Sequence, residues 1–182
     1  AFEAVAPIIL WSQSLEAESG KYDAVAHIEN PNISAGVATA EYSFKLYDEN
    51  GILIVERLGR TFINPKERLT VFEGGIETGR RVPVRTFFEF LNSLQWVRAE
   101  QRRTNLSIQN QIFTNDDDNR PRLRAQILNN SLDPTDRIII MALIFDRNNN
   151  VIAVSKTEVD RLLPQLKRDI SFIWPKLLTD EA

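Results

Sequence analysis

Cysteine is absent from the 182 residues, and there is one histidine and one methionine. Without thiols the chain has no disulfide framework, no cysteine-ligated zinc and no thiol nucleophile. A triad or an imidazole metal site would have to be built on the single ring of His27. Long apolar runs are missing too: the apolar opening, Ala4 to Trp11, is far shorter than the roughly 20 residues a membrane-crossing helix needs. Charge of one sign is also lacking. Lys and Arg number 22 against 25 Asp and Glu, a net −3 that gives no electrostatic footprint for nucleic acid, so no such partner is expected. The first residue is Ala1 rather than methionine, and a signal or anchor upstream of it is expected.

What the chain does have is strand pattern and turn chemistry. Tyr42, Phe44 and Leu46 alternate with Ser43, Lys45 and Tyr47, the two-residue period of a half-buried strand. Asp48 to Gly51 supplies a turn, Asn50-Gly51 taking positive φ at little cost, and Ile52 to Leu58 returns as a second strand. The design recurs at Met141 to Ile152, where Asp146 stands 98 positions after Asp48. Asn129-Asn130-Ser131 follows Asn30-Pro31-Asn32 by 99, and Pro164 follows Pro65 by 99. Three landmarks in step argue for a tandem duplication. The reading places one domain at 1–103 and a second, more diverged one at 104–182, close neighbours; Trp96 to Arg103 carries the chain out of the first, its charged run Arg98 to Arg103 reading as an extended connector or strand end. No stretch holds a helical period, and frequent turns between short strands predict an all-β fold. Trp11 is expected over one end of the first core, Gly36 in a loop, and Gly74-Gly75 in an open loop. Ile138 to Phe145, almost continuously apolar, reads as a central strand covered on both sides.

Candidate chemistry is sparse. His27 lies between Ala26 and Ile28 on a strand and reads as a surface or half-buried side chain, not a catalytic base. Asn115-Asp116-Asp117-Asp118-Asn119 offers oxygens but lacks EF-hand spacing, the bend glycine and the distal glutamate, so it reads as a solvated hairpin turn. The glycines from Gly74 to Gly79 lack the Lys-Ser/Thr pair and the helix of a phosphate loop. Arg80, Arg81 and Arg85 form a small basic group that is the candidate partner-binding site. Phe87, Phe88 and Phe90 break strict alternation, leaving one ring to face outward, and Arg120, Arg122 and Arg124 would share a solvated strand face.

Phe44-Lys45-Leu46-Tyr47-Asp48 followed by Gly51, with the flanking Asn30-Pro31-Asn32 and Pro65-Lys66-Glu67 turns, resembles the signature of FxLYD domains. That family is related to the WHy and late-embryogenesis-abundant type 2 β-sandwiches. In the second copy Ala142, Phe145 and Asn149 replace Phe44, Tyr47 and Gly51. The resemblance implies two tandem immunoglobulin-like β-sandwiches without catalytic residues or cofactors. It implies a non-enzymatic, extracytoplasmic structural or protein-interaction module, the ectodomain of a membrane-tethered bacterial envelope protein. Its partner would be another protein or envelope component rather than a small-molecule substrate, with the membrane met only through an anchor before Ala1. The alternative is a soluble stress-protective protein of the late-embryogenesis-abundant type.

Overall fold

A computed structural model describes residues 3–100 and 105–175. Every regular element among them is a β-strand, and every pairing is antiparallel. The chain divides into two compact units, Ala1–Arg102 and Arg103–Ala182. The expected boundary after residue 103 falls within 101–104, outside the described residues.

The first unit contains β1 (Ile8–Glu18), β2 (Lys21–Glu29), β3 (Ala35–Tyr47), β4 (Leu53–Ile63), β5 (Arg68–Glu77), β6 (Arg85–Phe90) and β7 (Trp96–Arg98). One sheet runs β1-β2-β5; the other runs β4-β3-β6, with β7 also on β3. Alternation decides what lies between them. Tyr22, Ala24, Ala26 and Ile28 of β2 and Val71 and Ile76 of β5 meet Tyr42, Phe44 and Leu46 of β3 and Phe88 of β6. Phe88 packs edge-on against both Phe44 and Phe90, at 4.9 and 5.1 Å between ring centres. The architecture is β-sandwich-like.

The second unit contains β8 (Leu106–Asn115), β9 (Pro121–Asn129), β10 (Thr135–Phe145), β11 (Val151–Leu162) and β12 (Lys167–Ile173). Its sheets are β8-β9-β12 and the pair β10-β11. Away from the bulges, the register repeats that of the first unit. Ala26 faces Val71 on β2 and β5, and 99 positions later Ala125 faces Ile170 on β9 and β12. Leu46 faces Val55 and Tyr47 faces Leu53; 98 positions on, Ile144 faces Ala153 and Phe145 faces Val151, with the same irregularity between them. Between Val37 and Ala40, β3 carries one residue more than β4 opposite, a bulge that β10 lacks between Asp136 and Ile138.

Several expectations are corrected. Gly36 lies within β3, and Trp96–Arg98, expected only to lead the chain out of the first unit, pairs as β7 with Ala35–Val37, so Arg98 is a strand end. Gly74-Gly75 lies inside β5, where Gly75 at φ 65° makes a bulge and its N–H donates to Asp23 Oδ1 at 3.0 Å. Trp11 faces away from the core: it is the cross-strand partner of His27 and stacks on that ring on the outer face. Arg120 belongs to a turn rather than to the strand carrying Arg122 and Arg124. The largest departure is β10. Expected to be central, it pairs only with β11 among the described residues.

Candidate functional site

Two buried asparagines fix the frame. Asn30 Nδ2 donates to the carbonyls of Ala35 and Asn64 at 2.9 and 2.8 Å, and its Oδ1 accepts from Asn32 N at 3.0 Å. Asn129 does the same 99 positions later, donating to Asp133 and Leu162 and accepting from Ser131 N and Oγ. A fully buried amide is tolerable only when its donors and acceptor are satisfied, and each here ties three chain segments together.

Three hairpin loops share one aspartate device. Asp48, Asp116 and Asp146 each accept two backbone N–H bonds on Oδ1, from residues two and four ahead. The fourth loop position takes positive φ in each, as Gly51, Asn119 and Asn149. In the acidic turn, Asp116 Oδ2 also receives Arg120 Nε at 2.9 Å. Its oxygens are thus engaged by the loop itself, as a hairpin turn requires, and no group of three metal-ligating side chains occurs among the described residues.

At the Asp48 end of the first unit, the loop between β5 and β6 lies against the β3–β4 hairpin. Thr78 N donates to Gly20 O at 2.9 Å, and Val84 N donates to Tyr47 O at 2.9 Å. Arg81 joins the two loops. Its Nη2 meets Asp48 Oδ2 at 2.6 Å, and its Nη1 donates to Leu53 O at 3.2 Å. This guanidinium, more than the loop N–H groups, holds the Asp48 carboxyl below the usual aspartate range. The three predicted arginines therefore divide. Arg81 is consumed in joining loops, while Arg80 and Arg85 stand exposed with no partner among the described residues.

Sequence reasoning missed what surrounds them. Val82 is 59% exposed, Val84 63%, Ile52 57% and Leu53 42%, with Pro83 buried between the valines as the anchor. Hence two free cations stand beside four exposed aliphatic side chains on a braced loop pair. The visible signal was Val82-Pro83-Val84, apolar residues in a loop where solubility alone would favour polar ones.

His27 sits half-buried on the outer face of β1-β2-β5, 5.5 Å from Trp11 between ring centres, with Nδ1 3.1 Å from Thr70 Oγ1. Burial first, and Arg68 second, push its pKa below the ordinary histidine value. Among the described residues its ring contacts are Thr70 and Trp11, neither an acid–base partner. Phe87 is the outward ring of its strand, whereas Phe88 is buried. No protein-family model matches the chain, and no curated protein matches it.

Proposed function

We propose that the chain is a non-enzymatic interaction module: two tandem immunoglobulin-like sandwiches of the FxLYD type, held outside the cytoplasm in a bacterial envelope protein. The braced loop end of the first unit carries this reading. A binding surface needs exposed apolar area together with charge that selects a partner, on a backbone that loses little freedom on association. Ile52, Leu53, Val82 and Val84 supply the area, Arg80 and Arg85 the charge, and the Arg81–Asp48 pair the rigidity. The partner is a protein surface that is apolar at its centre and acidic at its rim.

The test is a photo-crosslinking residue at Val82 in the full-length protein in intact cells, with a second at exposed Asp160 on β11 as control. The reading expects one discrete protein adduct at 82, accessible to external protease, that fades in Arg80→Glu/Arg85→Glu. Equal adducts at both positions, or an adduct indifferent to the charge reversal, would sink it. An adduct shielded from protease until lysis would place the module inside the cell instead.

A further inference from the structure

Most arginines of the first unit hold a carboxylate: Arg57 meets Glu73, Arg60 meets Glu41, Arg68 meets Glu29 and Arg81 meets Asp48. On the outer face of β4-β3-β6, Lys45 is matched as well, by Glu89. Arg85 lies on that same face, because Phe88 and Phe90, at the alternate positions of β6, pack on the core. It has no carboxylate among the described residues, and its cross-strand partner is Tyr47. Tyr47 in turn faces Leu53 on β4, so Leu53, Tyr47 and Arg85 form one row across three strands. Two residues along β6, Phe87 stands on the same face and is 49% exposed. Lys45, opposite Phe87, is already engaged by Glu89.

Opposite charges across neighbouring strands stabilise a sheet, so a cation on a strand gains most from an acid facing it. Arg85 forgoes that gain. Its guanidinium stands instead between a half-buried tyrosine and an exposed phenylalanine. Arginine suits such a place, since its planar fork binds a carboxylate bidentately while its faces stack on rings. The row also begins where the loop surface ends, for Leu53 belongs to both.

We propose that the docking surface continues from the loop tips onto the outer face of β4-β3-β6, with Arg85 as its specificity-determining residue. Arg85 takes one carboxylate of the partner protein between Tyr47 and Phe87, while Arg80, on the loop, stays at the rim. This rests on the interaction-module reading and narrows it. The partner brings one acidic side chain inside the apolar contact and keeps its other acids outside. A charge pair enclosed by apolar contact governs dissociation, whereas a rim charge acts on the association rate.

Photo-crosslinking residues are placed singly at Val82, Phe87 and the control Asp160 in the full-length protein in intact cells. The proposal expects one and the same protein to be captured at 82 and 87 and not at 160. Arg85→Gln should reduce the adduct at 87 by at least about tenfold, whereas Arg80→Gln should change it by less than about threefold. Capture at 82 without capture at 87 leaves the interaction module standing and overturns its extension over the sheet. Capture at neither position removes both. An adduct at 87 formed within the chain itself, equal capture at 160, or equal effects of the two glutamine variants also overturns the proposal. Amide exchange in β3 reports whether β6 stays paired in each variant. Where the probe at 87 abolishes that pairing, the adduct at 82 decides: it must weaken in Arg85→Gln and persist in Arg80→Gln.

Discussion

β3 and β10 are the same strand by register, yet among the described residues β3 is paired on both edges and β10 on one. Phe44 is fully buried, while its counterpart Ala142 sits half-covered among smaller aliphatic neighbours. The first unit invests its core in aromatic packing under β6; the second distributes it over aliphatic residues and the Phe172–Trp174 stack. Burial in one copy therefore cannot be inferred from the identity of the strand. It depends on whether a neighbour covers it.

The sharpest way to break the comparison is to remove side chains at equivalent inward positions. Phe44→Ala deletes a fully buried ring with partners on β6, and should destabilise the first unit by about 3–5 kcal/mol. Ile140→Ala, at the position equivalent to Tyr42, should cost about 1–2 kcal/mol, because part of its surface already meets water. Denaturant unfolding read at each unit's own tryptophans, Trp11 and Trp96 against Trp174, measures both. Equal losses would show that β10 is covered after all.

The asparagines should not distinguish the units. Asn30→Ala and Asn129→Ala each strand two carbonyls and the N–H two residues ahead, so each should cost about 2–4 kcal/mol. Similar losses in the same unfolding experiment would show that the repeated frame is energetic as well as geometric.

Much of this frame was legible. The period of two at Tyr42–Tyr47, the Asp-led hairpins and the Asn30/Asn129 and Pro65/Pro164 landmarks are local signals that tertiary context leaves intact. Gly74 and Gly75 read as loop because a bulge keeps within a strand residues that usually break it, and Gly36 because it is needed inside β3 for a close approach, Ile63 O standing 2.7 Å from where its Cβ would be. Trp11 departs from its expected place because a large ring can cover the outside of a sheet as well as its core. Ile138–Phe145 has the composition of a central strand, and composition cannot say whether a partner strand is at hand. At the candidate site the three arginines were visible, but Arg81's engagement with Asp48 spans 33 residues of separation and has no local signature.

Acid should separate the units. In the second, Asp116 and Asp146 are held below the usual aspartate range, by Arg120 with the loop N–H groups and by Asn150 respectively. Their contribution is complete above about pH 4, the ordinary aspartate value, and is lost as pH falls through the lowered values. The first unit has one such group, Asp48, and two opposed to it: burial raises Asp23 and Glu67, whose penalty is relieved as pH falls through their raised values. His27, lowered by burial, adds a separate loss in the first unit as pH falls below about 6.5. Exchange protection at Ile127 should thus decline faster below pH 4 than protection at Ile28, with the reverse order nearer pH 6.

The smallest effects lie at the fourth position of the hairpin loops. Gly51 at φ 73° pays no steric penalty there, so Gly51→Ala should cost about 1–2 kcal/mol. Asn149 holds the same place at φ 62°, and asparagine visits the left-handed region more readily than other side-chain-bearing residues. Asn149→Gly removes that residual strain but widens the conformational freedom of the unfolded chain, which opposes folding by about 0.4–1 kcal/mol. The two terms are of similar size and opposite sign, so the net change should lie within about 0.5 kcal/mol of zero. A clear stabilisation would mean that Asn149 is strained, and that the second unit holds its hairpin at a cost in loop stability that Gly51 avoids in the first. A clear loss would assign the asparagine side chain a bond in solution beyond those that Asp146 makes to the loop.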